Sequence, residues 1–277
     1  MNKRFQKLAT PYLIWLYILA LFPAVFMFGL MFFNMEGIDT DEISFTFENF
    51  KQLAEPSTLI ALANSLKFSI ISTTLCILLG YITAYFLYKS HIQNKFLVLT
   101  ILILPMWSNL LLRTQALANI MEPNNIFTSL FHIQVKEDAT GIAGGDLAVI
   151  IGSVFTYLPF MILPIYTALE KIDPMLEEAS LDLGSNEFTT FRRVTLPLSL
   201  KGVVTGSVMV FLPCMSGFAI PEILGKGNIV MIGNIIEQFF KNMNYNIGSL
   251  LAIVILILIL ASIALVNKFD KDGETVL

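Results

Sequence analysis

The chain alternates between long apolar runs and short charged connections. Six windows contain no Asp, Glu, His, Lys or Arg: 8–35, 68–88, 96–112, 147–169, 202–221 and 242–267. By subtraction they are 28, 21, 17, 23, 20 and 26 residues long, against about 20 apolar residues for a helix that crosses a bilayer. The pattern predicts an all-α integral membrane protein with six transmembrane helices. The third window is the shortest, and it gains length through Ala116, Leu117 and Ala118 only if Arg113 faces protein or water.

Pro23, Pro105, Pro159, Pro164 and Pro213 fall within the windows. Each removes a backbone donor and is expected to kink or interrupt its helix, which lipid tolerates only where protein or a wet cavity re-satisfies the freed carbonyl. The third and fifth spans carry theirs close to polar groups, which makes them the better candidates for lining a pathway. Between the first two spans, Phe45, Phe47 and Phe50 interleave with Thr46, Glu48 and Asn49, as expected of a short amphipathic lid.

Composition agrees with a lipid solvent. Hydrophobic residues are 56% of the chain and charged residues 14%, against roughly half and a quarter in soluble domains. Lys3, Arg4, Lys7, Lys89, Lys95, Lys171, Arg192, Arg193, Lys201, Lys268 and Lys271 lie on the side of both termini, eleven of the 17 basic residues. Lys51, Lys67, Arg113, Lys136, Lys226 and Lys241 are the six on the other side, so the positive-inside rule places both termini in the cytoplasm. The first apolar run is too long for a signal peptide and lacks a small-residue cleavage site, so it reads as a retained anchor. The net charge is −4, and Glu36, Asp39, Asp41, Glu42, Glu48 and Glu55 make the first loop acidic; nucleic acid is not an expected partner.

Chemistry-bearing residues are sparse. Cys76 and Cys214 fall inside spans and imply no disulfide framework. His91 and His132 sit in different loops without other ligands at metal spacing. No phosphate-binding G-x-x-x-x-G-K-[ST] occurs, and no H-E-x-x-H or G-x-S-x-G. The chain is therefore expected to be non-catalytic, without metal or cofactor. A secondary transporter would commonly need a buried carboxylate or histidine for its coupling ion, and the six windows have none by construction.

One polar connection stands out, between the fourth and fifth windows. Asp173 suits an N-cap, Pro174 the first helical position, and Glu177 a capping-box-like partner near the third. Met175, Leu176, Ala179, Leu183 and Phe188 form an apolar stripe at helical spacing, and Gly184 is the expected stop through a left-handed cap or a close backbone approach. Arg192 and Arg193 have two readings: pairing with Glu187 or Asp182, or attraction to the anionic leaflet.

Within this connection stand Glu178-Ala179-Ser180, Gly184 after a gap of three, and Val194-Thr195-Leu196-Pro197 after a further nine. This pattern resembles the signature of ABC importer membrane subunits, E-A-A, three residues, G, nine residues, I-x-L-P, with Ser for one Ala and Val for Ile. The resemblance implies a fold like the type I ABC importer permeases, with Glu178, Ala179, Ser180, Gly184, Val194, Leu196 and Pro197 as the residues that couple it to an ATPase. It also implies the partners: two copies of an ABC ATPase subunit, a second permease subunit, an extracytoplasmic substrate-binding protein and the bilayer of a bacterial inner membrane. The corresponding division is an N-terminal helix and outer loop over 1–64, the transmembrane domain over 65–267 with its coupling loop at 173–197, and a cytoplasmic tail over 268–277.

Two further stretches resemble spermidine/putrescine importer permeases: Leu104-Pro105-Met106-Trp107-Ser108-Asn109 through Arg113, and Pro213-Cys214-Met215 through Pro221-Glu222-Ile223-Leu224-Gly225. Leu158-Pro159-Phe160-Met161 with Pro164 also fits. The resemblance implies a polyamine substrate and a distinct, related second permease, with other small solutes as the alternative. Trp107, Asn109 and Glu222 are then the pathway candidates. Trp107 would attract an ammonium group by about 0.5–2 kcal/mol, or else belong to an interfacial belt. Glu222 would supply charge, or else be a solvated loop end.

Overall fold

Lipid offers no water to backbone N–H and C=O groups, so each apolar window closes its hydrogen bonds within a helix. In the computed structural model, residues 11–12, 14–34, 44–123, 142 and 144–269 are described. Glu36, Asp39, Asp41 and Glu42 of the first loop, Lys3, Arg4, Lys7, Lys136 and Lys271, and His132 lie outside the described residues.

Among the described residues, four helices are long and apolar enough to cross a membrane. They are α2 (Pro56–Lys89), α5 (Asp146–Glu170), α7 (Glu187–Ser216) and α10 (Tyr245–Phe269). The first window appears as a shorter apolar helix, α1 (Ile14–Leu30). The third is a broken span, α3 (Lys95–Ile103) and α4 (Leu110–Met121), bent by 93°. Six apolar segments thus stand where six windows were read, but the third is not the continuous helix expected.

The break has a local cause. Pro105 opens a 3-10 turn over Leu104–Trp107, and Ser108 and Asn109 then turn extended. The Pro105 carbonyl, just before the chain turns extended, accepts from Ser108 Oγ at 2.7 Å and from Arg113 Nη1 at 2.7 Å and so is satisfied from within the chain. Arg113 therefore faces protein, the condition the sequence set for it. The other in-span prolines do not interrupt their helices: Pro159 and Pro164 sit inside α5, and Pro213 inside α7.

Pro23 and Pro197 share a different device. Each directly follows a five-residue π turn, Tyr17–Leu21 before Phe22 and Phe191–Thr195 before Leu196. A proline in a regular helix clashes with the carbonyl four residues back; the wider turn, with Phe22 N–H reaching Tyr17 O and Leu196 N–H reaching Phe191 O, gives it room.

The core is the triple α2–α5–α7. Helices in lipid gain from close van der Waals approach rather than hydrophobic transfer, so their contacts favour small residues. Ser69, Ser72, Cys76, Gly80 and Ala84 line the buried face of α2. Met161 of α5 fills the space left by two glycines: a Cβ on Gly80 would stand 2.8 Å from Met161 Cγ, and one on Gly206 of α7 2.7 Å from its Sδ. The buried Ser69 hydroxyl closes onto its own helix, Oγ donating to Ser65 O at 2.6 Å.

At 34 residues, α2 runs roughly 50 Å at 1.5 Å per residue, longer than a hydrocarbon core of about 30 Å. Both ends carry attachments. Beside its N-terminal end the phenylalanine-rich stretch folds as a two-residue hairpin, with Phe33 opposite Phe45, and a 3-10 turn over Glu48–Ala54. Phe32 packs against Phe45, Phe47 and Phe50 with ring centres 5.8–5.9 Å apart. Buried Asn49 ties this lid down, donating to Met31 O and Phe33 O at 2.9 Å and accepting from Asn246 Nδ2 at 3.1 Å. The short helices α8 (Ala219–Gly225) and α9 (Ile232–Lys241) join the same end, where Ile232 N–H reaches Ser65 Oγ at 2.9 Å. The opposite end of α2 meets the 173–197 connection.

Candidate docking helix and solute groove

The 173–197 connection is more helical than a loop. A nine-residue helix, α6 (Pro174–Asp182), opens on Asp173, whose Oδ1 accepts from Met175 N–H at 3.0 Å. Gly184 ends the turn at φ +85°, the left-handed stop that the sequence predicts. The last third of the connection is already the start of α7, because Asn186 caps Glu187 onward through Thr189 N–H at 2.8 Å.

Gly184 needs its φ, not a tight neighbour: a Cβ there would meet nothing within 4 Å. The apolar stripe is real but faces out. Met175, Leu176, Ala179, Leu183 and Phe188 are all exposed, Leu183 at 88% and Phe188 at 70%. Glu178 and Ala179 share that open surface, Ser180 is half-buried against Thr190 (2.9 Å between hydroxyls), and Gly184 stands bare at the turn. Val194 and Leu196 are half-buried, and Pro197 is exposed on the first turns after the π turn. Arg192 and Arg193 are exposed, and no ion pair joins either to Glu187 or Asp182.

Glu177 corrects the capping-box expectation. It lies one position too far along α6 to cap it, and its carboxylate is instead shared between two other helices. Lys89 Nζ at the end of α2 stands 2.5 Å from Oε2, and Thr195 Oγ1 donates to Oε1 at 2.7 Å. Sequence reasoning passed over Lys89 and Thr195. The available signal was a second glutamate beside Glu178, with a threonine at the variable position of Val194-Thr195-Leu196-Pro197.

A groove of about 840 Å³ runs along the open face of α5 and α7, from Met106 in the third-span break to Asp173 and Leu176 at the docking helix. Phe160, Leu163, Pro164 and Met209 give it an apolar wall, while Thr167, Thr205, Lys171 and Lys201 add polar groups. Trp107, adjacent to Met106, is 89% exposed. It closes the 3-10 turn of the break, directly before Ser108 and Asn109. Asn109 caps α4, its Oδ1 accepting from Leu111 N–H at 2.8 Å and Leu112 N–H at 3.3 Å. Glu222 is exposed on α8, which packs against α4 and α5 at the end away from the docking helix. Its charge reaches Lys241: the hydrogen bond that this ammonium donates to Glu237 holds it above its usual pKa, and Glu222 adds to the same field. The structure thus places Trp107 and Asn109 together in the break and Glu222 on a separate element.

The chain thus presents a broken span, a groove open along one side and a short helix with an exposed apolar face. The chain belongs to the family of binding-protein-dependent transport system inner membrane components, whose pattern matches residues 1–272. It is a multi-pass permease component of a transport system. Among its relatives, the spermidine/putrescine transport system permease protein PotB of Haemophilus influenzae is 34% identical over 273 residues, covering 98% of this chain and 96% of the relative. The spermidine/putrescine transport system permease protein PotC of Escherichia coli is 28% identical over 178 residues, 64% of this chain and 59% of its own. A bacterial alginate ABC transporter, solved in complex with an alginate-pentasaccharide-bound periplasmic protein, superposes with a TM-score of 0.77 over 98% of this chain and 95% of that one. At 16% identity that likeness speaks for the shared fold.

Proposed function

We propose that this chain is one of two membrane-spanning subunits of an ATP-driven importer for polyamines, coupling hydrolysis by a partner ATPase to movement of the solute. The observation that carries the reading is α6: a short helix whose apolar side and glycine turn face solvent, within a signature-like sequence in a chain related to PotB over nearly its whole length. An exposed amphipathic helix seeks a groove in a partner, and the ATPase is the partner that the signature resemblance names. The relation to both PotB and PotC favours a distinct second permease rather than two copies of this chain. A substrate-binding protein delivers the solute on the side away from α6.

The solute route follows the groove from Trp107 towards the docking helix. A polyamine loses hydration on entry and needs aromatic faces and carboxylates in exchange. Trp107 offers an exposed face in the break of the third span, and Glu222 a charge near the entrance. Inward movement of a cation gains about 2.3 kcal/mol per charge per 100 mV, so the protein supplies a gate and ATP works it. Trp107→Ala and Glu222→Gln are each expected to lower uptake of labelled spermidine or putrescine by the assembled complex, with assembly unchanged; Glu222→Asp is milder because it keeps the charge. Uptake of an anion or uncharged solute, with both polyamines ignored, would remove the substrate claim.

The sidedness is tested separately. In a background lacking Cys76 and Cys214, Ser44→Cys is expected to react with an impermeant thiol reagent applied to intact cells, and Ser185→Cys to stay protected. Labelling of the second variant from outside contradicts an α6 that faces the cytoplasm.

A further inference from the structure

Glu177 is 8% exposed on a nine-residue helix whose neighbouring positions, Leu176 and Glu178, are exposed. Both of its oxygens are committed. Oε2 pairs with Lys89 on the last turn of α2, 88 residues away in sequence, and Oε1 accepts from Thr195 in the π turn that opens α7. Thr195 is itself buried. One carboxylate thus joins the docking helix to the ends of two of the three core helices.

The surroundings make this bond a mechanical link rather than one contact among many. The helix α6 packs on the opening turns of α7, and the Lys89 pair joins it to α2. Beside the pair lies a cavity of about 370 Å³ bordered by Tyr85, Leu181, Glu187 and Phe191, so close-packed side chains do not duplicate the link there. On the far side of the gap the Tyr85 ring meets Phe191 edge-on with centres 4.9 Å apart, holding α2 against the π turn. A π turn is a wide and adjustable piece of helix. Displacement of α6 therefore reaches α2 as tension on an ion pair and α7 as a pull on the turn where its backbone yields most readily.

We propose that Lys89, Glu177 and Thr195 form the strut that carries movement of the docking helix into α2 and α7. The three act as positioning residues for transport and take no part in holding the ATPase. This rests on the reading of α6 as the ATPase-docking helix and adds the route by which its motion enters the membrane. Withdrawing the Glu177 carboxylate would leave the buried Thr195 hydroxyl without its acceptor, which is costly, whereas half-exposed Lys89 can turn to water; the strut stays engaged through the cycle while the turn beside it flexes.

The test uses the complete complex in liposomes, with the cognate ATPase, second permease and binding protein, reading ATPase capture, ATP hydrolysis and labelled spermidine uptake on each preparation. Glu177→Gln keeps the shape and an acceptor for Thr195 but drops the charge facing Lys89. It is expected to capture ATPase normally and hydrolyse ATP within about twofold of wild type, while uptake falls about tenfold, a coupling loss on the scale typical between linked sites. Thr195→Val gives a smaller loss of the same kind and serves if Glu177→Gln does not elute as a folded complex. The exchange Lys89→Glu with Glu177→Lys is expected to recover a substantial part of uptake over either single change. Wild-type uptake per ATP in Glu177→Gln and Thr195→Val overturns the strut, as does ATPase capture that falls in step with uptake. Failure of the docking reading shows differently: Gly184→Trp would then capture ATPase normally whatever Glu177→Gln does.

Discussion

Gly184→Trp is expected to cut capture of the ATPase subunit by about tenfold or more, equivalent to at least about 1.4 kcal/mol of binding, while the permease itself stays folded. The two halves of this expectation have separate grounds. Within the chain, a side chain at 184 points into open space, so the internal penalty is the left-handed backbone alone, about 1–2 kcal/mol for a residue with a Cβ. Outside it, the indole would stand between Leu183 and the surface that Met175 and Phe188 leave bare, where a partner's groove has to close. Gly184→Ala separates the effects, because it meets the same backbone penalty with little bulk. Its capture is expected to stay within about threefold of wild type, a cost of well under 1 kcal/mol. Pull-down of the ATPase on tagged permease, normalised to folded permease, reads both.

The largest effect on stability is expected at Gly202. A Cβ there would stand 2.5 Å from Pro164 O, 2.7 Å from Ala168 Cβ and 2.9 Å from Ile165 Cα. Two of those atoms are backbone, so relief requires moving α5 away from α7 along their shared face. Overpacking of a core typically costs about 1–3 kcal/mol, and Gly202→Leu, pressed against main chain, belongs at or beyond the top of that range. The variant is expected to lose most of its monodisperse yield in detergent. Gly29→Leu supplies the contrast, since a Cβ on α1 meets nothing within 4 Å; its yield and thermal midpoint are expected to match wild type.

These two glycines illustrate what the sequence discloses. Gly184 was legible because its neighbours form a spaced pattern: an N-cap at Asp173, an apolar stripe and the Val194–Pro197 ending define a short helix and its stop. The apolar windows were legible for the same reason, since lipid imposes a simple rule on length and charge. Gly202 was not, because what it touches lies on another helix and no local pattern records a partner in space. The third span shows the boundary between the two cases. Pro105 and Arg113 mark an irregular helix in sequence, but neither the 93° bend nor the return of the Arg113 side chain to the Pro105 carbonyl is recorded in any local pattern.

Glu177 was misplaced by a locally plausible rule. Three positions after a cap-forming residue, a glutamate usually turns back to its own helix end; here it sits one position later, and its partners come from α2 and the start of α7. Asn109 shows a role that its place in a polyamine-permease-like stretch did not disclose: its oxygen starts α4 across the break. Long-range pairing is invisible to periodicity, which is why the short helix α6 and its stop could be read from sequence and the link behind it could not.

The central claim is that transport through this subunit is driven by ATP and carries polyamines. The direct measurement reconstitutes the chain with its second permease, ATPase and binding protein in liposomes at zero membrane potential and follows labelled spermidine and putrescine. Accumulation against a gradient that requires both ATP and the binding protein is the predicted result. Accumulation driven by an imposed proton gradient or membrane potential without ATP would contradict it.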